Sequence, residues 1–389
     1  MVTPSGASST DAVLDPQAPA SAAFRAAVSV AIADFLDGQQ TVLAEMGREL
    51  APVHDLAVTL LSGGKRLRPA FSVWGYVAAR GLPAEQDLPP LLAAAASLEM
   101  LHVSALVHDD VMDSSDLRRG QPAAHRQFET LHRQAGWGGD AAGFGRSGAI
   151  LLGDLLLMGS VQMLQRCGLP AATLAPALVI LDAMRTEVTC GQFLDVVAQA
   201  RPLAPGPEVA AAGLAGLPAT VALDEALRVV EYKSARYTVQ RPCQMGAALG
   251  GAGDRLQQTL GAYGSPIGRA FQFRDDLLGV FGDPAVTGKP TGDDLREGKR
   301  TVLVAHAYAH SDPVARQLLV RHLGDPDLDP AGVAALQQVI TDSGARDACE
   351  AMISAGYEQA MAALAAAEVT DDGRTALTAL ADAAVHRIF

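Results

Sequence analysis

The chain has 389 residues, 30 basic and 43 acidic, for a formal charge of −13. Half of it (49%) is hydrophobic, which supplies a sizeable core and excludes a globally disordered chain. The acidic balance argues against a nucleic-acid binder, which carries a basic stripe, but not against an anionic substrate, because bound metal ions reverse the local sign.

Residues 1–20 are rich in Ser, Ala, Pro and Thr and read as a disordered tail. Residues 21–389 read as one domain. Ala and Leu abound there, and apolar residues recur at three and four. The pattern predicts helices over 22–47, 51–62, 67–80, 88–113, 122–134, 147–166, 172–199, 220–250, 255–281, 300–310, 312–323, 330–343, 346–367 and 373–388. Gly-rich 135–146 and Ala/Pro/Gly-rich 200–218 read as loops. Strand signals are absent, so the fold class is all-α. No run of about 18 uncharged apolar residues is evident, so no membrane span is expected. The N-terminus has neither the basic start nor the apolar block of a signal peptide. Cys167, Cys190, Cys243 and Cys349 form no Cys-x-x-Cys pair, so the cytoplasm is the expected location.

Chemistry-bearing residues come in four groups. Gly63-Gly64-Lys65-Arg66-Leu67-Arg68 is a glycine turn with three cations in four residues. It is not a Walker loop. Cations at a helix start oppose the dipole, and an anionic ligand would resolve that conflict. Next, His108-Asp109-Asp110-Val111-Met112-Asp113 ends a long apolar helix. Asp109 and Asp113 lie one turn apart on one face, a stripe that runs back through Leu106, His102 and Glu99. Two such carboxylates suit Mg²⁺, which takes a few carboxylates plus phosphate oxygens. Alone, the pattern fits a solvated helix end equally well. Arg118 and Arg119 follow within a few residues, and guanidinium groups suit phosphates.

Further on, Lys233 and Ser234 place a cation and a hydroxyl on a mid-chain helix. Finally, Gln272, Asp275, Asp276 and Gly279 share a helical face. A Gly/Pro/Lys/Asp-rich stretch containing Asp283, Lys289 and Lys299 follows them.

Taken together, GGKRLRP, EMLHVSALVHDDVMDSSDLRRGQPAAH, GQFLD, KSARY, FQFRDDLLGVFGDPAVTGK and DDLREGK resemble the trans-isoprenyl diphosphate synthases, the polyprenyl synthetases. The resemblance spans residue 25 to the C-terminus. It implies a single barrel of antiparallel helices around a deep cavity, working as a homodimer. It implies prenyl transfer between isopentenyl diphosphate and an allylic diphosphate (dimethylallyl, geranyl or farnesyl), with about three Mg²⁺ ions per site.

By the same resemblance, Lys65, Arg68, His102 and Arg119 match the isopentenyl diphosphate pocket. Asp109, Asp113 and Asp275 match metal ligands, with Asp110 in support. Arg118, Lys233, Ser234, Gln272 and Lys289 match contacts to the allylic substrate. Lys299 closes the site, and Gln192 lies near it. The catalytic set implied is Asp109, Asp110, Asp113, Arg118, Lys233, Asp275 and Lys289. The second acidic motif departs from the family pattern, because Gly279 stands where its last Asp belongs. Asp283 lies two turns away and does not substitute simply.

Ser97, Leu101 and Ser104 form one helical stripe before Asp109, beside Ala105. In the family, aromatic residues at the fourth or fifth position before the motif stop growth at fifteen carbons. Here both positions are small, which implies a geranylgeranyl (C20) product, with longer chains as the alternative. Leu101 or the Leu155–Met158 segment is the expected floor. A terpene cyclase would carry an Asn/Ser/Glu metal triad after Phe271, which is absent. Squalene and phytoene synthases lack the GGKRLRP turn. A non-catalytic subunit would lose more acidic residues than position 279.

Overall fold

The computed structural model describes residues 9–201, 203, 223–283 and 291–386. Lys289, among the expected substrate contacts, lies outside the described residues. The helices in chain order are α1 Ser9–Val13, α2 Ala22–Met46, α3 Ala51–Leu61, α4 Leu67–Arg80, α5 Leu88–Met112, α6 Ala124–Gln134, α7 Ala141–Gln165 and α8 Ala171–Ala200. They continue with α9 Leu223–Val229, a π-helical segment Val230–Gln240, α10 Arg241–Leu249, α11 Asp254–Phe281 and α12 Asp293–Arg296. The last five are α13 Val302–His310, α14 Pro313–His322, α15 Pro330–Asp342, α16 Ala345–Ala365 and α17 Asp371–His386. Among the described residues, the strands are β1 Leu117–Arg118 and β2 Gln121–Pro122, an antiparallel pair with Arg118 opposite Gln121. The fold class is therefore all-α as expected, apart from that small hairpin.

Two compact units divide the chain. The first comprises 1–182, 242–258 and 367–380, and the second 183–241, 259–366 and 381–389. In the first unit α5 is buried nearly all round, as its unbroken Leu/Ala/Val surface dictates. It packs against α7, α4 and α2. Pro89 and Pro90 suit its first turn, where the N–H groups lack helical partners anyway. By length and composition α5 and α7 could each cross a membrane, with mean hydropathy of 1.6 and 1.5 over 18 residues, contrary to the expected absence of such a stretch. Within the first unit these two helices pack on each other.

Residues 9–20 differ from the expected loose tail. Leu14 is buried, and the indole of fully buried Trp74 donates to the Pro19 carbonyl at 2.9 Å. A buried indole N–H needs an acceptor, and this segment brings it one. The Gly-rich stretch also differs, since α7 begins at Ala141 rather than 147. Asp140 caps it by accepting from the Ala142 amide, and the glycines let α6 approach. A Cβ at Gly145 would stand 2.3 Å from the His125 carbonyl oxygen, so Gly145 marks a close helix contact, whereas 135–140 form the expected loop.

In the second unit α11 and α16 are tied by Arg274, which meets both Glu350 oxygens at 2.6 and 2.7 Å. Glu187 accepts from Arg236 and Arg241, and Glu231 from Arg236 and Ser265. These pairs flank the π-helical segment.

Candidate active site

In the first unit the site is built around the C-terminal end of α5. Asp109 and Asp113 are half-buried and one turn apart. Asp110 points elsewhere. It is only 2% exposed, and Arg118 donates to its Oδ1 through Nε at 2.9 Å and through Nη2. Burial pushes the Asp110 carboxyl upward, and the Arg118 bond opposes that push. Arg118 Nη2 also lies 3.9 Å from Asp109 Oδ2. Asp110 is thus an anchor for Arg118, turned away from the face that Asp109 and Asp113 share.

Arg118 sits on β1, and the hairpin turn is Arg119-Gly120 with φ of 54° and 74°. Both turn residues are left-handed, the geometry that matches strand twist in a two-residue hairpin. The turn delivers Arg119 to the glycine turn before α4. A Cβ on Gly64 would lie 3.7 Å from both terminal nitrogens of Arg119 and 3.8 Å from Glu99 Oε2. The first unit thereby gathers Gly64, Arg119, Glu99 and His102.

Arg66 answers part of the helix-start conflict from within the protein. Its φ is 53°, and its buried guanidinium pairs with Glu99 at 3.0 Å and donates to the Leu61 carbonyl at 2.6 Å. Glu99, read as part of the polar stripe, is therefore an internal anchor. Lys65 is exposed and Arg68 half-buried, beside this fixed turn.

His102 is held well below the usual imidazole range by burial first, then by Arg68, Arg119, Arg118 and Arg66. It stays neutral and can donate one ring N–H. The unfolded chain binds the proton first as pH falls. The stability carried by the neutral ring is thus complete above about pH 6.5 and is lost as pH drops towards the folded value. His102→Gln should flatten the fall in melting temperature between about pH 6.5 and 5. An unchanged slope would remove His102 from that role.

The expected chain-length residues divide. Ser97 and Leu101 are buried, and Ser97 Oγ donates to the Ala94 carbonyl at 2.6 Å. Ser104 faces α7, with its hydroxyl donating to the Gly153 carbonyl at 2.7 Å. Ala105 is half-buried and lies about 40° from Asp109 around the helix. The Leu155–Met158 floor narrows to Leu156. Leu155 and Met158 are 39% and 57% exposed, whereas Leu156 joins Leu152 and Gly153 on the buried face of α7.

In the second unit Lys233 and Ser234 lie on the π-helical segment, a widened geometry often found at functional sites. Two glycines receive it. A Cβ at Gly191 would stand 2.3 Å from the Lys233 amide nitrogen, and one at Gly268 2.3 Å from the Ala235 carbonyl oxygen. Lys233 Nζ donates to Asp195 Oδ2 at 2.5 Å. Gln272 donates to Asp276 Oδ1 at 2.8 Å. Lys299 contacts Asp294 Oδ1 at 3.2 Å and Glu297 Oε2 at 2.6 Å. Asp275 is half-buried, whereas Asp276 is only 4% exposed. Burial pushes the Asp276 carboxyl up to about 7; the Gln272 bond opposes this, Asp294 adds to it, Lys299 opposes it and Asp195 adds to it.

Asp195 and Asp294 are the carboxylates that sequence reading passed over. Asp195 was within reach, three residues after Gln192 in GQFLD. Asp294 lay in DDLREGK, where only the lysine drew attention. Among the described residues, no three His, Cys, Asp or Glu groups converge to hold a metal unaided. The donor set still fits Mg²⁺. It consists of hard carboxylate oxygens, and Mg²⁺ takes one or two of these with substrate phosphates. Among the described residues, the buried Asp276 Oδ2 has no hydrogen-bond partner, a further sign of fit.

The polyprenyl synthetase family model matches residues 52–340, and the chain belongs to that family. It is a trans-prenyltransferase. It is 30% identical to the geranylfarnesyl diphosphate synthase of Aeropyrum pernix over 84% of this chain and 91% of that one. It is 33% identical to a (2E,6E)-farnesyl diphosphate synthase of Mycobacterium tuberculosis over 73% and 68%. The all-α fold matches a geranylgeranyl pyrophosphate synthase of Corynebacterium glutamicum, solved with isoprenyl diphosphate and magnesium. There the TM-score is 0.85 at 38% identity, covering 96% of this chain and 100% of that one.

Proposed function

We propose that this prenyltransferase condenses isopentenyl diphosphate with an allylic diphosphate to make all-trans geranylgeranyl diphosphate. The observation that carries the reading is the Asp109/Asp113 face, flanked by Arg118, which is fixed on Asp110, and by Arg119, which is set against Gly64. By the family resemblance, Asp109, Asp113 and Asp275 would hold Mg²⁺, about three ions per site, together with substrate phosphate oxygens. Mg²⁺ held there would supply positive charge to the leaving diphosphate. Arg118, Lys233, Gln272 and Lys289 orient the allylic diphosphate. Lys65, Arg68, Arg119 and neutral His102 orient isopentenyl diphosphate. Ser234 and Gln192 adjoin the first set, and Lys299 closes over it.

Cleavage of the allylic C–O bond leaves a carbocation and inorganic diphosphate. The alkene attacks the cation, and the departing diphosphate takes the proton. Fixed cations stabilise charge as it develops on the leaving oxygen, and fixed orientation supplies much of the remaining rate. Residues 21–389 form one catalytic domain in this reading, and the cytoplasm is its location.

The C20 product rests on the small residues before the first acidic motif. Ala105→Phe, on the half-buried face near Asp109, should shorten the main product from C20 to C15. Ser104→Phe should instead lower stability by about 1–3 kcal/mol, because Ser104 is packed on the α7 backbone. Chromatography of products from isopentenyl diphosphate with dimethylallyl, geranyl or farnesyl diphosphate decides both the length and the primer. A C25 main product would favour the second reading, supported by likeness to the A. pernix enzyme. A C20 product from Ala105→Phe would refute the wall assignment.

The homodimer reading has a surface to match. Phe144, Leu151, Leu155 and Met158 fall within about 60° on the exposed face of α7, a continuous apolar stripe that a second copy would cover.

A further inference from the structure

Resting on the reading above, we propose that Glu231 is a positioning residue for the allylic half of the site: together with Glu187 it locks the Lys233 segment in π register and so sets where Lys233 stands. The π-helix occurs mostly as single turns, whereas here it runs for 11 residues, Val230–Gln240. Its polar partners are spaced by five. Glu231, Arg236 and Arg241 follow one another at that interval. Arg236 Nε donates to Glu231 Oε1 at 2.8 Å. Arg236 Nη1 and Arg241 Nε donate to the two oxygens of Glu187 on α8, each at 2.8 Å. The backbone repeats the interval, with the Arg241 amide donating to the Arg236 carbonyl. In an α-helix, residues five apart point about 140° from one another, so Glu231 and Arg236 would not meet, and Arg236 and Arg241 would not line up for one carboxylate. A π-helix closes at i→i+5 and brings them into line. The ion pairs therefore select the π register over the α register.

The neighbouring helices carry this register to Lys233. On α8, Glu187, Gly191 and Asp195 lie within about 80° of one another. Glu187 holds the arginines, Gly191 admits the Lys233 backbone, and Asp195 accepts from Lys233 Nζ. On α11, Ser265 donates to Glu231 Oε2 at 2.8 Å, and Gly268 admits the Ala235 backbone. The paired side chains are only 15–27% exposed, so they are not the solvated surface pairs that contribute little. Without Glu231 the segment relaxes towards α register, and the lysine that Gly191 and Asp195 receive moves with it.

The chain has four lysines, Lys65, Lys233, Lys289 and Lys299. Nuclear magnetic resonance of the full chain, isotope-labelled at the lysine Cε atoms, therefore reads Lys233 as one of four signals, assigned with Lys233→Arg. Wild type, Glu231→Ala and Glu225→Ala are compared. The last breaks the Arg201–Glu225 pair, 3.0 Å long and similarly shielded in the same unit, without touching the five-residue line. In Glu231→Ala the Lys233 signal and its titration move, and kcat/KM for the allylic diphosphate falls about 10–100-fold. KM for isopentenyl diphosphate stays level, and Glu225→Ala changes none of these. Where Glu231→Ala melts below the assay temperature, Glu231→Gln is read in the same way, since it keeps the bulk and weakens the Arg236 bond. A Lys233 signal at its wild-type position in a folded Glu231 variant overturns the inference and leaves prenyl transfer untouched. So does an equal displacement in Glu225→Ala, which would mark a general loosening. A wild-type chain that makes no prenyl diphosphate overturns the prenyl-transfer reading instead; the lysine signals, read without substrate, still decide the register lock.

Discussion

Asp109→Ala and Asp113→Ala each lower prenyl-transfer turnover by about 10²–10³-fold or more while the melting temperature stays near that of the wild type. Both effects follow from placement. The two carboxylates sit at the solvent end of α5, half-buried, and neither fills the core. Their one-turn spacing sets two like charges close together, an arrangement that a cation between them would offset. Removing one therefore leaves the fold intact and removes charge neutralisation where the leaving diphosphate needs it most. Steady-state kinetics in Mg²⁺ buffer, with thermal denaturation in parallel, checks both halves. Wild-type turnover in either variant would sink the assignment.

Asp110 provides the contrast within the same motif. Its carboxylate is almost fully buried and clamps Arg118. Loss of that carboxylate leaves a guanidinium without its partner, so activity falls through mispositioning of Arg118 as well as loss of charge. Three aspartates in five residues thus divide between two tasks, and burial decides which task each has.

The helical architecture was legible because its signal is local. Apolar spacing of three and four residues located most of the helices between α2 and α17 to within two residues, though not the short α12 or the break of 220–250 into three segments. What was not legible depends on partners distant in sequence. The Ser/Ala/Pro-rich opening looked unstructured, yet Trp74 needed an acceptor and found Pro19. Glycines 143 and 145 looked like a loop, because the close approach that requires Gly145 involves α6. The π-helical turns at Lys233 are invisible to a 3.6-residue pattern, and their receiving glycines lie on α8 and α11.

The site divides in the same way. Motif residues such as Asp109 and Arg118 could be read from spacing and chemical type. The outward direction of Leu155 could not, nor could the pairing of Glu99 with Arg66, since both follow from how α5 meets its neighbours.

Gly246→Ala should destabilise the protein by about 3 kcal/mol, among the larger effects expected of a single methyl group. The reason is a backbone contact between α4 and α10 within the first unit. A Cβ at Gly246 would stand 1.6 Å from the Ser72 carbonyl oxygen and 2.5 Å from its carbonyl carbon. The contact is reciprocal, since a Cβ at Gly75 would stand 2.3 Å from the Cys243 carbonyl oxygen. Neither obstacle is a flexible side chain that could swing aside. Almost every residue of α4 from Leu67 to Ala78 is buried, so the helix has little room to retreat. Gly38 on α2 is the matched control, exposed and with nothing among the described residues within 4 Å of its Cβ position. Gly38→Ala should leave stability level or raise it by about 0.5–1 kcal/mol, because alanine costs less backbone entropy in a helix. Denaturant titration of the two variants separates helix propensity, which favours alanine at both sites, from the close approach, which forbids it at one. Equal stabilities would show that α4 and α10 can part without cost.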